Sequence, residues 1–499
     1  MNFINGCEIK GIDNTVKDKI KIAVAFQPNQ TLAGLIEDNK FAEFAVEQIG
    51  YKSIAGNIYI GVVKKIIPPL QAAFIDIGVE KTGFLHINEI TDIHAFNPEM
   101  RVKSRIEDLL KIGNRIIVQV LKDGYSEKGP QFTTKLTIPG KLLIALPDRE
   151  HIGFSNKITD ENEKKRIETI VKTHKNENIG YIARTECAQS GDAEIIEEIN
   201  ALNRISEKIK SFIKSGRQFA EIYSSNDIFS FINREFIGHK PAVVYYDDID
   251  MKEKISNLLE SETVELVYEK FKNPDGIFGI YAEYQKLTRN KVWLKCGGHI
   301  VIEFTEAFTS IDINTGKNVS EKNKEQMIFQ TNLEAMTEIA KQIRLRNISG
   351  MILVDLMNMI TETEADTILK KLEDELAKDR LRSKVFYTPQ TGIIQILRKR
   401  NKNNISQIFF EKCHFCSGYG KIFKLESQII NIERKIKELV LLKNKTRLVL
   451  TVSTDLFNFI ESVCAIDNIE KKYNIKIILN KNETYYKIQY KFENIEQGE

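Results

Sequence analysis

The chain has 499 residues, 42% of them hydrophobic and 28% charged, and Lys+Arg 72 against Asp+Glu 69 gives a formal net charge of +3. At roughly 100–200 residues per domain this length argues for several domains. The near balance of charge excludes a globally basic nucleic-acid binder, so any such contact must come from local patches. No run approaches the ~18 apolar residues of a membrane span, and the opening MNFINGCEIK lacks the basic and apolar stretches of a signal peptide. Six cysteines in a chain of this length exclude a disulfide scaffold and make a reducing cytoplasm the expected compartment.

In chain order, residues 19–48 begin with a strand, KIAVAF, and continue through alternating apolar positions into an expected helical tail. From Gly56 the texture changes to short period-2 runs, GNIYIGVVKKII, QAAFIDIG and TGFLHI, and NRIIVQVLK follows an amphipathic stretch from Ile106 to Leu110. Strands of this length and spacing predict a small antiparallel barrel. Residues 135–225 mix a strand, IGYIART, with the amphipathic helix AEIIEEINALNRISEKIKSFIK, and PAVVYYDD and MKEKISNLLES add a strand and a helix. From about residue 290 strands and helices alternate: GGHIVIEF, AFTSIDI, a helix over EQMIFQTNLEAMTEIAKQIRLR, then GMILVDL, a helix over ADTILKKLEDELAKD, and TGIIQIL. That alternation predicts an α/β layer. GMILVDL reads as a strand buried on both faces, and the residues after CHFCSGYG read as helix–strand–helix–strand.

Asp312 in TSIDIN and Asp355 in LVDLM lie 43 positions apart, room for one crossover helix between parallel strands. Each falls near the carboxyl end of its strand, where ligands bind in open α/β sheets. On adjacent strands the two carboxylates share one hard divalent ion, and Mg²⁺ suits a site with few protein ligands and several waters. Asn314, two residues beyond Asp312, falls on the same side. The alternative is a pair of rim carboxylates that cap helices or pair with Arg344 or Arg346.

Cys413 and Cys416, followed by Gly418 and Gly420, have the spacing of a zinc half-site. The chain has no second C-x-x-C, so the completion is the same pair from a second copy, in a two-fold dimer. A reduced pair on a surface loop is the alternative, and His414 between the thiolates is a poor third ligand. Phe74 and Phe84 fall in consecutive barrel strands with Lys128 and Lys135 flanking the last strand, so the phenylalanines are either core or base-stacking platforms beside a cationic groove. The run from Arg398 to Lys402 either faces phosphate or is simply solvated.

Taken together, GNIYIGVVKKI, AAFIDIG, TGFLHI, YIARTE, TEAFTSIDINTGK, TNLEAMTEIAKQIRLRNISGMILVDLMNM and CHFCSGYG, in this order, closely resemble the ribonuclease E/ribonuclease G family of bacterial endoribonucleases, and most closely its shorter ribonuclease G branch. The resemblance implies an α/β multidomain architecture. Residues 1–52 and 228–287 form an RNase H-like subdomain, interrupted by an OB-fold RNA-binding barrel of the ribosomal S-one type at 53–134 and a 5′-sensor region at 135–227. A DNase I-like catalytic subdomain at 288–409, a zinc link at 410–423 and a small dimerisation domain at 424–499 follow. By the same resemblance Asp312 and Asp355 bind catalytic Mg²⁺, Asn314 orients them, and Arg382 in KDRLR sits at the scissile region. Phe74, Phe84 and Lys128 contact RNA. Arg184 and Thr185 hydrogen-bond a 5′-monophosphate, with Gly140 and Ile144 against the terminal base. Cys413 and Cys416 share structural Zn²⁺ between protomers that assemble into a homotetramer.

The implied activity is single-strand-specific hydrolysis of 5′-monophosphorylated RNA, leaving 3′-hydroxyl and 5′-phosphate ends, in rRNA 5′-end maturation and mRNA decay. A catalytically silent RNA-binding scaffold of the same fold is the alternative. The sequence departs from the family pattern where Asn358 replaces the usual Asp, His414 the usual Pro, and TPQTG a turn that often carries Arg. Asn156-Lys157 also stand where paired arginines are common, and the N-terminal region is extended.

Overall fold

A computed structural model describes residues 19–494 except 51–52, 91–104, 125–127, 215–220, 225–227, 239, 260–262, 271–273, 317–323, 358–360, 400–402, 412, 414, 417, 419, 444 and 487. Asn358, His414 and the Arg400–Lys402 part of the basic run thus lie outside the described residues. The chain divides into two compact units, Met1–Phe409 and Phe410–Glu499. No described helix is long and apolar enough to cross a membrane.

The first unit opens with three antiparallel strands, Ile20–Gln27, Gln30–Glu37 and Lys40–Gln48. The expected helical tail is therefore a strand. Asp38 and Asn39, at φ 48° and 56°, form a two-residue turn whose twist matches antiparallel strands, and the hairpin continues through Phe41. Ile20–Gln27 also pairs in parallel with Ala242–Tyr246, which pairs in parallel with Val264–Tyr268. This mixed five-stranded sheet is built from both sides of a long insertion.

The insertion begins with the barrel. Ile58–Ile67 pairs with both Ala72–Asp76 and Arg115–Lys122, and Gly83–His86 and Gln131–Thr133 complete the ring. The last two run parallel rather than antiparallel as expected, because a closed ring with an odd number of strands cannot alternate throughout. A Cβ on Gly83 would lie 2.1 Å from the Phe132 ring, so only glycine lets the strand close over the barrel core. Next, Leu143–Leu146 and Gly180–Ala183 pair antiparallel at the centre of a small sheet, backed by helices Glu161–His174 and Asp192–Lys214.

The α/β layer is a six-stranded sheet in the order Lys291–Trp293, His299–Phe304, Thr309–Asn314, Gly350–Asp355, Ile393–Arg398, Ser383–Thr388. Only the Thr309–Asn314 and Gly350–Asp355 pair is parallel, joined by helix Lys324–Leu345. That helix and Glu362–Leu376 bury the face that carries Ile300, Ile311, Ile352, Val354 and Ile394. GMILVDL is consequently buried on one face alone: Met351 and Asp355 are exposed. With both helices on one side, the other face stays open among the described residues.

The second unit has helix Leu425–Lys443 and a three-stranded sheet centred on Arg447–Ser453, parallel to Lys476–Asn482 and antiparallel to Tyr490–Asn494. It exceeds the expected helix–strand–helix–strand by a final strand, and its middle helix is split into Thr454–Ser462 and Ala465–Tyr473 at Cys464, whose φ is 51°.

Candidate active site

Strand alternation sends Ile311 and Ile313 into the core and Asp312 to the open face, and likewise Val354 inward and Asp355 outward. The parallel register sets Asp312 directly opposite Asp355, about 4.8 Å apart in the backbone. Asn314 donates from Nδ2 to Asp312 Oδ2 at 2.7 Å, which fixes that carboxylate and leaves its other oxygen available. The alternative of pairing with arginine is excluded by geometry. Arg344 forms a two-pronged ion pair with Glu37, both contacts 2.8 Å, and Arg346 donates to Gln342. Among the described residues neither aspartate has a cationic partner, and no group of three or more His, Cys, Asp or Glu side chains is preassembled. Two opposed, uncompensated carboxylates and an orienting amide fit a hard divalent cation that keeps most of its waters.

The register does not bring Arg382 to this pair. Its neighbour Ser383 pairs with Arg398, which pairs with Gly350. Gly350 lies five residues from Asp355, roughly 17 Å along the strand. Arg382 is exposed at the far end of the sheet, beyond the reach of one side chain. Arg398 differs from both sequence expectations. It is buried and neither faces phosphate nor is solvated: its Nε donates to Asp379 at 2.6 Å with both side chains fully buried, and its Nη1 donates to the Ile348 carbonyl. Breaking such a pair costs about 3–5 kcal/mol, so this arginine holds the sheet together.

In the barrel Ala73, Ile75 and Leu85 fill the core, so Phe74 and Phe84 point outward. They are register partners, half-buried, with ring centroids 6.0 Å apart at 72°. Lys65, Phe74, Phe84, Gln131 and Lys122 are successive partners across the barrel, a transverse row of two aromatics flanked by lysines. Lys128 is exposed and 3.8 Å from Glu306, which lies between the second and third strands of the catalytic sheet. Lys135 is tied instead to Glu89 and the Asn88 carbonyl.

Gly140, Ile144, Arg184 and Thr185 come together where Leu143–Leu146 meets Gly180–Ala183, with Ile144 opposite Ile182. Arg184 Nη1 donates to the Gly140 carbonyl at 2.9 Å, and the Thr185 hydroxyl lies 3.0 Å from that of Ser155. Glu198 accepts from the backbone N–H groups of Lys141, Leu142 and Leu143 and so shapes this loop. Burial raises its carboxyl pKa, while those amides pull the other way. The second nitrogen of Arg184 is 3.7 Å from Glu235, which accepts from Arg380 and Arg234 at 2.9 Å each. Burial raises the Glu235 pKa, but the Arg380, Arg184 and Arg234 charges together bring it below the usual carboxylate range. Arg380 also donates to Glu43 and stacks 5.1 Å over Phe231.

In the second unit the Gly420 N–H points at the Cys416 sulfur, 3.2 Å away, with Gly418 and Gly420 at positive φ. Backbone N–H groups of Cys416 and Phe415 hold the exposed Cys413 thiol below its ordinary pKa. A knuckle of amides around sulfur favours thiolate and fits half of a zinc site.

The sequence model of the Ribonuclease E/G family matches residues 137–401, that of the S1 RNA binding domain matches 52–135, and that of the RNase E/G thioredoxin-like domain matches 412–495. The chain is 32% identical over 428 residues to Ribonuclease G of Haemophilus influenzae, covering 84% of this chain and 87% of that protein. The chain belongs to the ribonuclease E/G family. Ribonuclease G of Escherichia coli is likewise 32% identical, over 83% of this chain and 87% of that protein. Ribonuclease E of Nostoc is 29% identical over 80% of this chain and 59% of that protein. Within this family member, sequence reasoning missed Glu198, Glu235 and Arg380, because the partners that tie each of them to this site lie 51 to 337 positions away. Glu198 sits among other glutamates of an amphipathic helix and carries no local signal.

Proposed function

We propose that this ribonuclease E/G family protein is a Mg²⁺-dependent, single-strand-specific endoribonuclease that prefers 5′-monophosphorylated RNA, acting in rRNA 5′-end maturation and mRNA decay. The observation that carries the reading is the opposed, uncompensated pair Asp312 and Asp355 on an open sheet face, with Asn314 locked onto one of them. These two carboxylates would hold Mg²⁺, which when bound neutralises phosphodiester charge and lowers the pKa of water. Water as nucleophile leaves 3′-hydroxyl and 5′-phosphate ends. The outward Phe74 and Phe84 stack unpaired bases, which selects single strands. Arg184 and Thr185 grip the terminal phosphate, and Ile144 and Gly140 pack on its base, with Arg184 held in place by the Gly140 carbonyl. Arg382, from its position at the far end of the sheet, contacts the RNA backbone away from the reacting phosphate.

The split five-stranded sheet supports an RNase H-like assignment for residues 1–52 and 228–287, and the one-sided six-stranded sheet a DNase I-like assignment for 288–409. Cys413 and Cys416 would hold Zn²⁺ with the same pair of a second copy, linking homodimers that assemble into tetramers in the cytoplasm.

A cleavage time course with Mg²⁺ on one A/U-rich oligonucleotide, carrying either a 5′-monophosphate or a 5′-hydroxyl, tests the reading. Faster cleavage of the phosphorylated form supports both nuclease and sensor. Equal rates keep the nuclease and remove the sensor. Binding without cleavage of either form selects the silent scaffold, to which Asn358 in place of the usual Asp inclines the sequence.

A further inference from the structure

The open face of the catalytic sheet carries an aromatic group that neither the acid pair nor the barrel uses. Trp293 is the chain's single tryptophan. Its neighbours Val292 and Leu294 enter the core, while the indole lies on the opposite face, 42% exposed. The indole does not fill the sheet's helix-packed core, then. Lys291 Nζ lies 4.1 Å from its ring centroid, and the His299 ring lies 5.2 Å away, tilted by 53°. His299 Nδ1 is buried with no hydrogen-bond partner among the described residues, so this ring is held by packing against the indole.

The register ties this cluster to the acid pair. Trp293, His299 and Asn314 are successive partners in one transverse row, and Lys291, Val301, Asp312 and Asp355 in the next. Trp293 and Asp312 are two strands and two residues apart, roughly 12 Å between backbones. A single strand that places a phosphate at the aspartates reaches the indole within a few nucleotides. An exposed indole with a lysine over one face suits a base and its phosphate, because every base has a face to stack and the lysine, at the outer end of the carboxylate row, supplies positive charge.

We propose that Trp293, braced by Lys291 and His299, is a base-stacking platform for the RNA strand flanking the scissile phosphate. This deepens the endoribonuclease reading and rests on it. The platform makes Trp293 an RNA-binding residue on the catalytic sheet itself, separate from the phenylalanines of the barrel.

Because Trp293 is the one tryptophan, emission from the unmodified full-length protein reports on this position. The titrant is a non-cleavable 2′-O-methyl A/U-rich oligonucleotide with a 5′-monophosphate, and anisotropy of a fluorescein-labelled version follows binding independently. Saturable quenching with the same midpoint as the anisotropy supports the proposal. Binding by anisotropy with unchanged emission overturns it and leaves the endoribonuclease reading intact. No binding at all removes both. A merely structural tryptophan is distinguished by Trp293→Ala: the platform requires KM to rise about tenfold with kcat nearly unchanged, and with the ratio of 5′-monophosphate to 5′-hydroxyl cleavage retained. A fall in kcat alone would overturn the assignment.

Discussion

The barrel and the catalytic sheet solve the same packing problem and reach opposite surfaces. Each buries alternate residues of its strands in a core and turns the others outward. In the barrel the outward row is Lys65, Phe74, Phe84, Gln131 and Lys122, aromatic and basic. In the catalytic sheet the corresponding row is Lys291, Val301, Asp312 and Asp355, where two carboxylates stand opposed with no ion pair to either among the described residues. The first surface suits the bases and phosphates of a single strand as it stands. The second repels a polyanion until a cation neutralises it. One surface therefore binds on its own and the other acts only when loaded, and the two roles should separate in experiment.

The sharpest separation comes from Asp312→Asn. Loss of the metal's charge stabilisation, several kcal/mol, lowers cleavage by about 10³-fold at about 4 kcal/mol. Anisotropy should show affinity for a single-stranded oligonucleotide maintained, or slightly raised since a negative charge is gone. Cleavage at near wild-type rate with physiological Mg²⁺ would break the comparison at its acidic end.

Phe84→Ala should do the reverse. A stacked base contributes about 1–3 kcal/mol, so affinity falls roughly 5–150-fold while single-turnover cleavage at saturating RNA stays close to wild type. Phe74→Ala should behave alike, and the double substitution should be less than additive because the rings touch. Equal loss of cleavage at saturation would mean that the barrel shapes the reacting geometry rather than holding the strand.

A third surface lies between these two in character. Arg184 is cationic like the barrel row but, unlike it, already engaged with the Gly140 carbonyl and Glu235. Arg184→Lys keeps the charge and loses the fork, since an ammonium cannot meet both partners and a phosphate in fixed geometry. One charge-assisted hydrogen bond is worth about 1.5–3 kcal/mol, so the advantage of a 5′-monophosphate over a 5′-hydroxyl substrate should drop by about tenfold or more. Cleavage of the 5′-hydroxyl oligonucleotide should not change. If both substrates slowed together, Arg184 would be a structural link through Glu235 and Arg380 rather than a sensor.

Local pattern and long-range register divided what was legible in the sequence. Period-2 alternation marks the strands that carry Phe74 and Phe84, the continuous apolar run GMILVDL reads as a strand but hides its open face, and the 43-residue spacing anticipates the crossover helix that makes Asp312 and Asp355 neighbours. Alternation leaves the phase open where both sets are apolar, as in AAFID, so core and platform could not be told apart until the register placed Ala73 and Ile75 inside. Polar partners far apart in sequence were invisible for a different reason. Nothing near Arg398 announces Asp379 and Ile348 as its partners, and a basic run looks solvated until tertiary packing buries its first member. The misread of Lys40–Gln48 is local: the turn at Asp38 and Asn39 depends on backbone conformations that both residues tolerate but do not require.

The smallest effect tests the edge between the two surfaces. Lys128 belongs to the barrel, yet its one described ion pair, at 3.8 Å, is with Glu306 of the catalytic sheet, and both side chains are more than four-fifths exposed. An exposed pair of that length contributes little to stability, so Lys128→Ala should leave the melting temperature unchanged. If Lys128 meets a phosphate, its removal releases one fewer counterion on binding, and the slope of log affinity against log salt should become shallower by about 0.7 for a single strand. Glu306→Gln, which frees the lysine without adding charge of its own, should strengthen binding slightly at low salt and not at high salt. An unchanged slope in Lys128→Ala would confine the barrel's contact to the aromatic row and assign Lys128 to the contact between barrel and sheet alone.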